Sequence, residues 1–507
     1  MTHHKIVNLE QIAGKSKDLR SQGKRVVLCH GTFDLMHTGH IRYLQRAKLE
    51  GDVLLVTVTA DEYVNKGPGR PIFNQQLRAE NLAALECVDL VAINYAISAV
   101  DALHMIQPDI YAKGSEYRSH GDDVTGNIIL EQQAVEAHGG EIFYTDEITF
   151  SSSSLLNEHF GVFPPETKQF LELFRDKWPE KEIHRIVESL ADLKVLVVGD
   201  TIIDQYHYVS PLGQTGKGNA LAVRYDSEEQ FAGGAVAVAN HVAGFVDSVT
   251  LLTGLGDRDS YEEYIRGKLL ANVEPEFFYF TDAPTVTKRR FVDGDLAKLF
   301  EIYFFHDTPT LEEGNHGICQ WLTDNLGQYD AVIVADYGNG FIQDKMIQIL
   351  CEKSRYLAVN TQINSGNRGY HVINRYKRAN FASLNEPELR LASHDRHGPL
   401  EEVSQHVAEN IKVDRLAVTR GTKGVMMLDR SNGMFHKLPA LSSRVIDRIG
   451  AGDAFLALSA LCLVKNNDAE VAAFIGSVSA AMDVQIVCNR ESIDPVGLMK
   501  YVSTLLK

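Results

Sequence analysis

Short apolar runs alternate with stretches whose apolar positions recur every three or four residues along the whole chain. Val26, Val27 and Leu28 predict a short buried strand, and "HTGHIRYLQRAKL" then spaces Ile41, Leu44 and Ala47 along one face of a helix. The alternation continues through "DVLLVTVTA", "LRAENLAALECV", "DLVAINY", "AVDALHMI", "DIYAKG" and "EIFYT" as far as about His159. Strands separated by helices predict a parallel, doubly wound, Rossmann-like sheet. "FGVFPPETKQF" breaks the rhythm with paired prolines, and a charged helical stretch leads to a new strand, "KVLVVGD". The expected boundary falls between about Gly161 and Leu193, giving a domain over 1–160, a linker with a lead-in helix over 161–193 and a larger α/β domain over 194–507. That second series includes "SVTLLTGLG", "AVIVADYGNG", "YLAVNTQ", "RLAVTRGTKGVMML" and a helical end around "GAGDAFLALSALCLV".

Composition narrows the chemistry. The 507 residues carry 44% hydrophobic and 23% charged positions, ordinary for globular protein. A formal net charge of −17 argues against a nucleic-acid or anionic-membrane surface, so nucleotides are expected as small molecules. The opening "MTHHKIVNLEQIAGK" has no apolar core of signal-peptide length and no later segment is long enough to span a bilayer, so a cytoplasmic location is expected. The six cysteines form no CxxC pair, which predicts buried thiols rather than disulfides or a zinc site.

The first strand-to-helix handover, "VVLCHGTFDLMHTGH", concentrates two glycines and three histidines where unpaired backbone N–H groups and a helix dipole make a phosphate seat. Gly31 lets the backbone approach a phosphate. His37 and His40 share a face if the turn is helical, and can donate to phosphoryl oxygens as charge develops there. Without the surrounding string, the pair could equally cap a helix or bind a metal. "GTFDLMHTGH", including Thr32 and Phe33, resembles the signature of cytidylyltransferase-like nucleotidyltransferases, and further motifs of that family follow in order. The resemblance implies that Lys66 and Arg78, in "NKGPGRPIFNQQLRAENL", clamp the triphosphate and the incoming phosphate. It also implies that "YAKGSEY", with Lys113 and Gly114, reads the base, and that Ser151, Ser152 and Ser153 of "FSSSSLL" start a helix at the nucleotide.

"DRIGAGDAFLA", Asp447 to Ala457, is a glycine-rich turn entering an apolar helix. N–H groups of Gly450, Ala451 and Gly452 can form an anion hole for a transferring phosphoryl group, and Asp453 can accept the proton of an attacking hydroxyl. A carboxylate in such a turn can also be only a helix cap. The string resembles the signature of ribokinase-like sugar kinases, whose other landmarks recur in order from Lys194 to Lys507. The resemblance implies that Asp200 and Asp204 of "GDTIID", Gly233 and Gly234 of "AGGAVAVAN", and Lys288 and Arg290 of "TVTKRRF" face the sugar. It further implies Asn385 and Glu388 of "NEPE" near Mg²⁺ and its waters, and Thr419, Gly421 and Gly424 of "VTRGTKG" along ATP. Asp336 of "ADYGNG" is a further candidate that could equally be a strand cap. Departures are Ile449 where a threonine is common, Ala237 where an asparagine is usual, and Asn360 where a strand-end aspartate is frequent.

Both signatures in one chain resemble the bifunctional heptose 7-phosphate kinase and heptose 1-phosphate nucleotidyltransferase family, with the two domains in the opposite order. The resemblance implies ATP-dependent phosphorylation of an anomeric hydroxyl and nucleotidyl transfer from ATP or CTP to a sugar 1-phosphate, with Mg²⁺. It also implies a separate pathway phosphatase and a homo-oligomer. Lys288 and Arg290 would point to one strand face and could meet the substrate's distal phosphate, or equally be a solvated charge run at a strand edge. The alternatives are a kinase and cytidylyltransferase for another sugar or polyol phosphate using CTP, or one catalytic domain beside a degenerate nucleotide sensor.

Overall fold

The computed structural model describes residues 3–64, 70–114, 127–145, 163–306, 310–311, 314–367 and 369–506. The chain divides into two compact units, Met1–Pro164 with Met499–Lys507, and Pro165–Leu498. Among the described residues, no helix is long and apolar enough to cross a membrane.

In the first unit a five-stranded sheet runs in the order Leu90–Asn94, Val53–Thr59, Val26–Gly31, Ile110–Gly114, Glu141–Thr145, with every pair parallel. Val26, Val27, Leu28, Leu54, Leu55 and Val56 are fully buried, as expected of strands covered on both faces by crossover helices. The sheet order reverses between Val26–Gly31 and Ile110–Gly114, so the carboxyl ends of these neighbours open a crevice, the usual ligand position in an open α/β sheet. Gly31, His37 and His40 lie at the end of the first of them, and Lys113 and Gly114 at the end of the second.

The second unit begins with two helices, Pro165–Lys177 and Glu180–Glu188, separated at Pro179. Phe174 stacks on Phe474 with ring centroids 4.1 Å apart, and Lys177 pairs with Glu470 at 2.6 Å, which ties the lead-in helix to this unit. Parallel strands follow in the sheet order Val273–Pro284, Ser248–Arg258, Lys194–Gln214, Ala331–Asp336, Leu357–Thr361, Ala379–Asn385 and Val413–Thr419. Antiparallel Val425–Asp429 and Met434–Leu438 complete that edge. Strand Lys194–Gln214 runs out beyond the core, where it pairs with Leu221–Gly234 and with Thr287–Val292. Helix Ala451–Val464 is buried from Ala454 to Leu463, so its N-terminal turn is anchored by the core behind it.

Candidate active sites

In the first unit, His37 is the N-cap of helix Thr38–Lys48, its Nδ1 accepting the Gly39 N–H at 3.1 Å. That bond leaves Nε2 as the N–H donor of a neutral ring, and burial pushes the imidazole below its ordinary pKa. The helical turn brings the His37 and His40 ring centroids to 4.0 Å, and the Phe33 ring, on a backbone at φ 49°, meets His40 edge-on. Capping and presentation are therefore two uses of the same histidine. Thr32 is buried beside this turn.

Two expected nucleotide contacts are otherwise engaged. Arg78 is fully buried: Nε donates to Phe73 O, Nη1 to Thr32 O, and Nη2 to Thr59 O and Asp61 Oδ1, at 2.5 to 2.9 Å. It is a strut under the Thr32 turn rather than a free triphosphate clamp, because four protein acceptors surround one planar fork. Lys113 points into a buried ion pair with Glu131 at 2.7 Å, and the Tyr111 hydroxyl donates to the same Glu131 oxygen at 3.0 Å. Against burial, the Lys113 ammonium holds the Glu131 carboxyl below the usual range. Gly114 remains at the strand end, whereas Lys66, Ser151, Ser152 and Ser153 lie outside the described residues. Arg70 was not anticipated: its Nη1 lies 3.8 Å from Asp34 Oδ2, while Asp34 Oδ1 accepts the Ile72 and Phe73 N–H groups.

In the second unit, Gly450 caps helix Ala451–Val464 at φ 102°, a conformation that favours glycine, and the N–H groups of Ala451 and Gly452 belong to the helix's unpaired first turn. Asp453, also in that turn, is half-buried, and desolvation raises its carboxyl to about 7 even though the Tyr337 hydroxyl donates to Oδ1 at 2.6 Å. Asp204 raises it further and Lys288 opposes, so all three share one electrostatic environment.

Strand Thr287–Val292 does turn Lys288 and Arg290 to the same buried face. They are not a free dication, however. Arg290 is paired with Asp204 and lies 3.4 Å from Glu301, so its charge is already answered; Lys288 has no carboxylate within ion-pair distance among the described residues. Asp204 Oδ2 abuts Gly233. The two oxygens of Asp200, expected at the sugar, accept the Tyr337 and Phe341 N–H groups at 2.9 and 3.2 Å, fixing the loop that carries Tyr337. Asp336 is likewise tied, to His371 at 2.5 Å and to the Tyr376 hydroxyl at 2.8 Å, which favours the structural reading of that residue.

Asn385 and Glu388 form a reciprocal capping box, each side chain taking the other's N–H at 2.8 Å, and Glu388 Oε1 also accepts the Ile363 N–H at 3.2 Å. Burial, with Asp453 nearby, raises Glu388 to about 7 despite those bonds. Thr419 pairs with Asn385 across neighbouring strands. Gly421 and Gly424 have φ 58° and 78°, and a side chain on Gly424 would run into the Leu438 carbonyl. Gly234, at φ 63°, caps helix Ala235–Ala243. Tyr337 could have been suspected from its place in "ADYGNG"; Glu131 carried no local signal.

Each of the two α/β units has a glycine-bearing turn that presents polar side chains at a helix N-terminus. Residues 192–492 match the pfkB family of carbohydrate kinases, and the chain belongs to that family. Residues 28–158 match the cytidylyltransferase-like family. Among curated proteins the chain is similar to Bifunctional protein HldE of Methylobacillus flagellatus, 38% identical over 152 residues, covering 30% of each chain. The protein of that name from Nitratiruptor sp. is 43% identical over 133 residues, 26% of this chain and 28% of the other. The chain thus spans less than a third of the length of these curated relatives. Among solved structures, Thermotoga maritima ribokinase has a TM-score of 0.47 at 18% identity, covering 61% of this chain and 99% of that one. Escherichia coli phosphofructokinase-2 has a TM-score of 0.49 at 15% identity, covering 62% and 100%.

Proposed function

We propose that the chain is a bifunctional sugar-activating enzyme. In the kinase unit, Asp453 takes the proton of a sugar hydroxyl, the freed oxygen attacks the γ-phosphorus of ATP, and ADP leaves. The hydroxyl is the anomeric one of a heptose 7-phosphate. In the first unit, a sugar 1-phosphate oxygen attacks the α-phosphorus of ATP or CTP and pyrophosphate leaves, with the His37 and His40 N–H groups steadying the charge that develops. The observation that carries this reading is Asp453 in the first turn of helix Ala451–Val464, with the Tyr337 hydroxyl holding its carboxylate in place. The name of the matched relatives supports the pairing of two activities.

Lys288, rather than the pair with Arg290, is the cation on the reaction side, since it shares the field of Asp453. It would steady the transferred phosphoryl group. Glu388 fits the Mg²⁺ that phosphoryl transfer implies: a carboxyl that burial keeps near neutral gains most from an adjacent dication, and Glu388 would hold the ion through water. When bound, Mg²⁺ supplies positive charge to the ATP phosphates. A sugar 1,7-bisphosphate made by the kinase unit must lose its distal phosphate before the second reaction, so a phosphatase acts between the two steps. The enzyme would work in the cytoplasm, where its nucleotides are, as a homo-oligomer.

The test is product formation by the purified full chain. ADP should appear with ATP and heptose 7-phosphate, and pyrophosphate with heptose 1-phosphate and either ATP or CTP. ADP release only with an unphosphorylated sugar or polyol, together with pyrophosphate only from CTP, would favour the polyol alternative. Loss of one activity alone would mark that unit as a sensor.

A further inference from the structure

The side chain of Asn489 stands between the two glycine turns of the kinase unit. A Cβ built on Gly450 would lie 2.6 Å from Asn489 Oδ1, and one built on Gly233 would lie 3.2 Å from Asn489 Nδ2 and also meet Asp204 Oδ2. The amide therefore fills the space that a side chain at either turn would need, beside the carboxylate already placed at the sugar. Yet the fold does not hold this amide. Its Oδ1 is buried without a hydrogen-bond partner among the described residues, and the partner given for Nδ2 is the Cys488 sulfur at 3.8 Å, a weak acceptor.

The groups behind it make no hydrogen bond to the amide oxygen among the described residues. Asp483, whose Oδ2 would lie 2.7 Å from the same Cβ on Gly450, is fully buried with neither oxygen hydrogen-bonded among the described residues, and the His241 Nε2 that faces it at 3.7 Å has no hydrogen-bond partner either. The adjoining cavity of about 480 Å³ is lined from helix Ala235–Ala243 by Ala237, Asn240 and His241, and the Asn240 amide is already engaged by the Lys268 carbonyl and the Leu270 N–H. Buried polar atoms in native proteins are rarely left unpaired, and an amide in this position is completed by a group that can both donate and accept. A sugar hydroxyl is such a group. Asp204, with Arg290 on its other oxygen, can accept from the same hydroxyl but cannot donate to it.

We propose that Asn489 is a sugar-specificity residue of the kinase site, its amide hydrogen-bonding a ring hydroxyl held between the Gly233 and Gly450 turns and thereby reading the configuration at that carbon. This rests on the kinase reading above. An amide can present either its oxygen or its nitrogen to the hydroxyl, whereas an aliphatic side chain of similar size could present neither.

The experiment is steady-state kinase kinetics on the full-length protein with manno-heptose 7-phosphate and its 2-epimer, each at saturating ATP, and with ATP varied separately. In Asn489→Ala the KM for the preferred sugar should rise about tenfold or more, the KM for ATP should stay within twofold, and the kcat/KM ratio between epimers should fall toward one. Asn489→Asp keeps the shape of the side chain but removes its donor, so it should lose the same discrimination. Discrimination retained in both variants would overturn the inference while leaving the kinase reading intact. Equal increases in the KM for sugar and for ATP would overturn it as well, since a general loosening of the site would explain them. A wild type that phosphorylates neither epimer would overturn the kinase reading and this inference with it.

Discussion

The two glycine-bearing turns set opposite proton chemistry on similar scaffolds. At the kinase turn a half-buried carboxyl, Asp453, is pushed up to about 7 by desolvation, so it titrates near neutral pH. At the nucleotidyltransferase turn a half-buried imidazole is pushed down, which keeps it neutral and leaves an Nε2–H to donate. Burial acts in both places and disfavours charge in both. In the proposed mechanism the same physical cause therefore suits a carboxyl to accept a proton in one unit and an imidazole to donate a hydrogen bond in the other. The comparison also separates residues that act from residues that hold: Arg78 and Asp200 sit beside these turns with their polar groups already committed to backbone.

The largest effect should come from breaking a strut. Arg78→Ala leaves the Thr32 and Thr59 carbonyls and the Asp61 carboxylate without their buried partner, so the first unit should lose about 3 kcal/mol or more of stability. A thermal melt showing an unchanged first unit, with only the KM for nucleotide raised, would return Arg78 to the role of a phosphate clamp. Next, His37→Ala or His40→Ala should slow pyrophosphate release by about a hundredfold. Unchanged transfer would leave His37 as a helix cap alone.

Smaller effects sharpen the kinase side. The kinase kcat/KM should fall as pH drops through about 7, where Asp453 takes up a proton. Because the Tyr337 hydroxyl favours the ionised carboxylate, Tyr337→Phe should move that acid limb upward, costing more activity at about pH 6.5 than at about pH 8.5. A limb that stays in place would remove Tyr337 from the proton chemistry. The smallest change concerns Asp483, whose carboxyl is driven well up, first by burial and then by Asp453 and Asp447. The fold keeps a proton there that the unfolded chain releases above about 3.8, so stability falls as pH rises beyond that value. Asp483→Asn carries no such proton and should raise the melting temperature at about pH 8 by about 2 °C, with less gain at about pH 5.

The alternation of apolar runs and helical spacing was enough to read both sheets, because buried parallel strands such as Val195 to Val198 must be apolar on both faces. Alternation also put Lys288 and Arg290 on one face. It could not show that Asp204 and Glu301 would already surround Arg290, since those partners lie on other strands and sequence spacing carries no information about them. Glu131 and Asn489 escaped for the same reason: each matters through a partner distant in the chain. The lead-in stretch read as one charged helix because its periodicity runs across Pro179, where the structure places the break between two helices.

The central claim is that one chain carries two independent reactions, and it is tested most directly by measuring ADP formation and pyrophosphate release on the same preparations of Asp453→Asn and of His37→Ala. Asp453→Asn should lose about a thousandfold in ADP formation while releasing pyrophosphate at the wild-type rate, and His37→Ala should show the reverse pattern. Parallel loss of both products in either variant, or retention of ADP formation in Asp453→Asn, would contradict it.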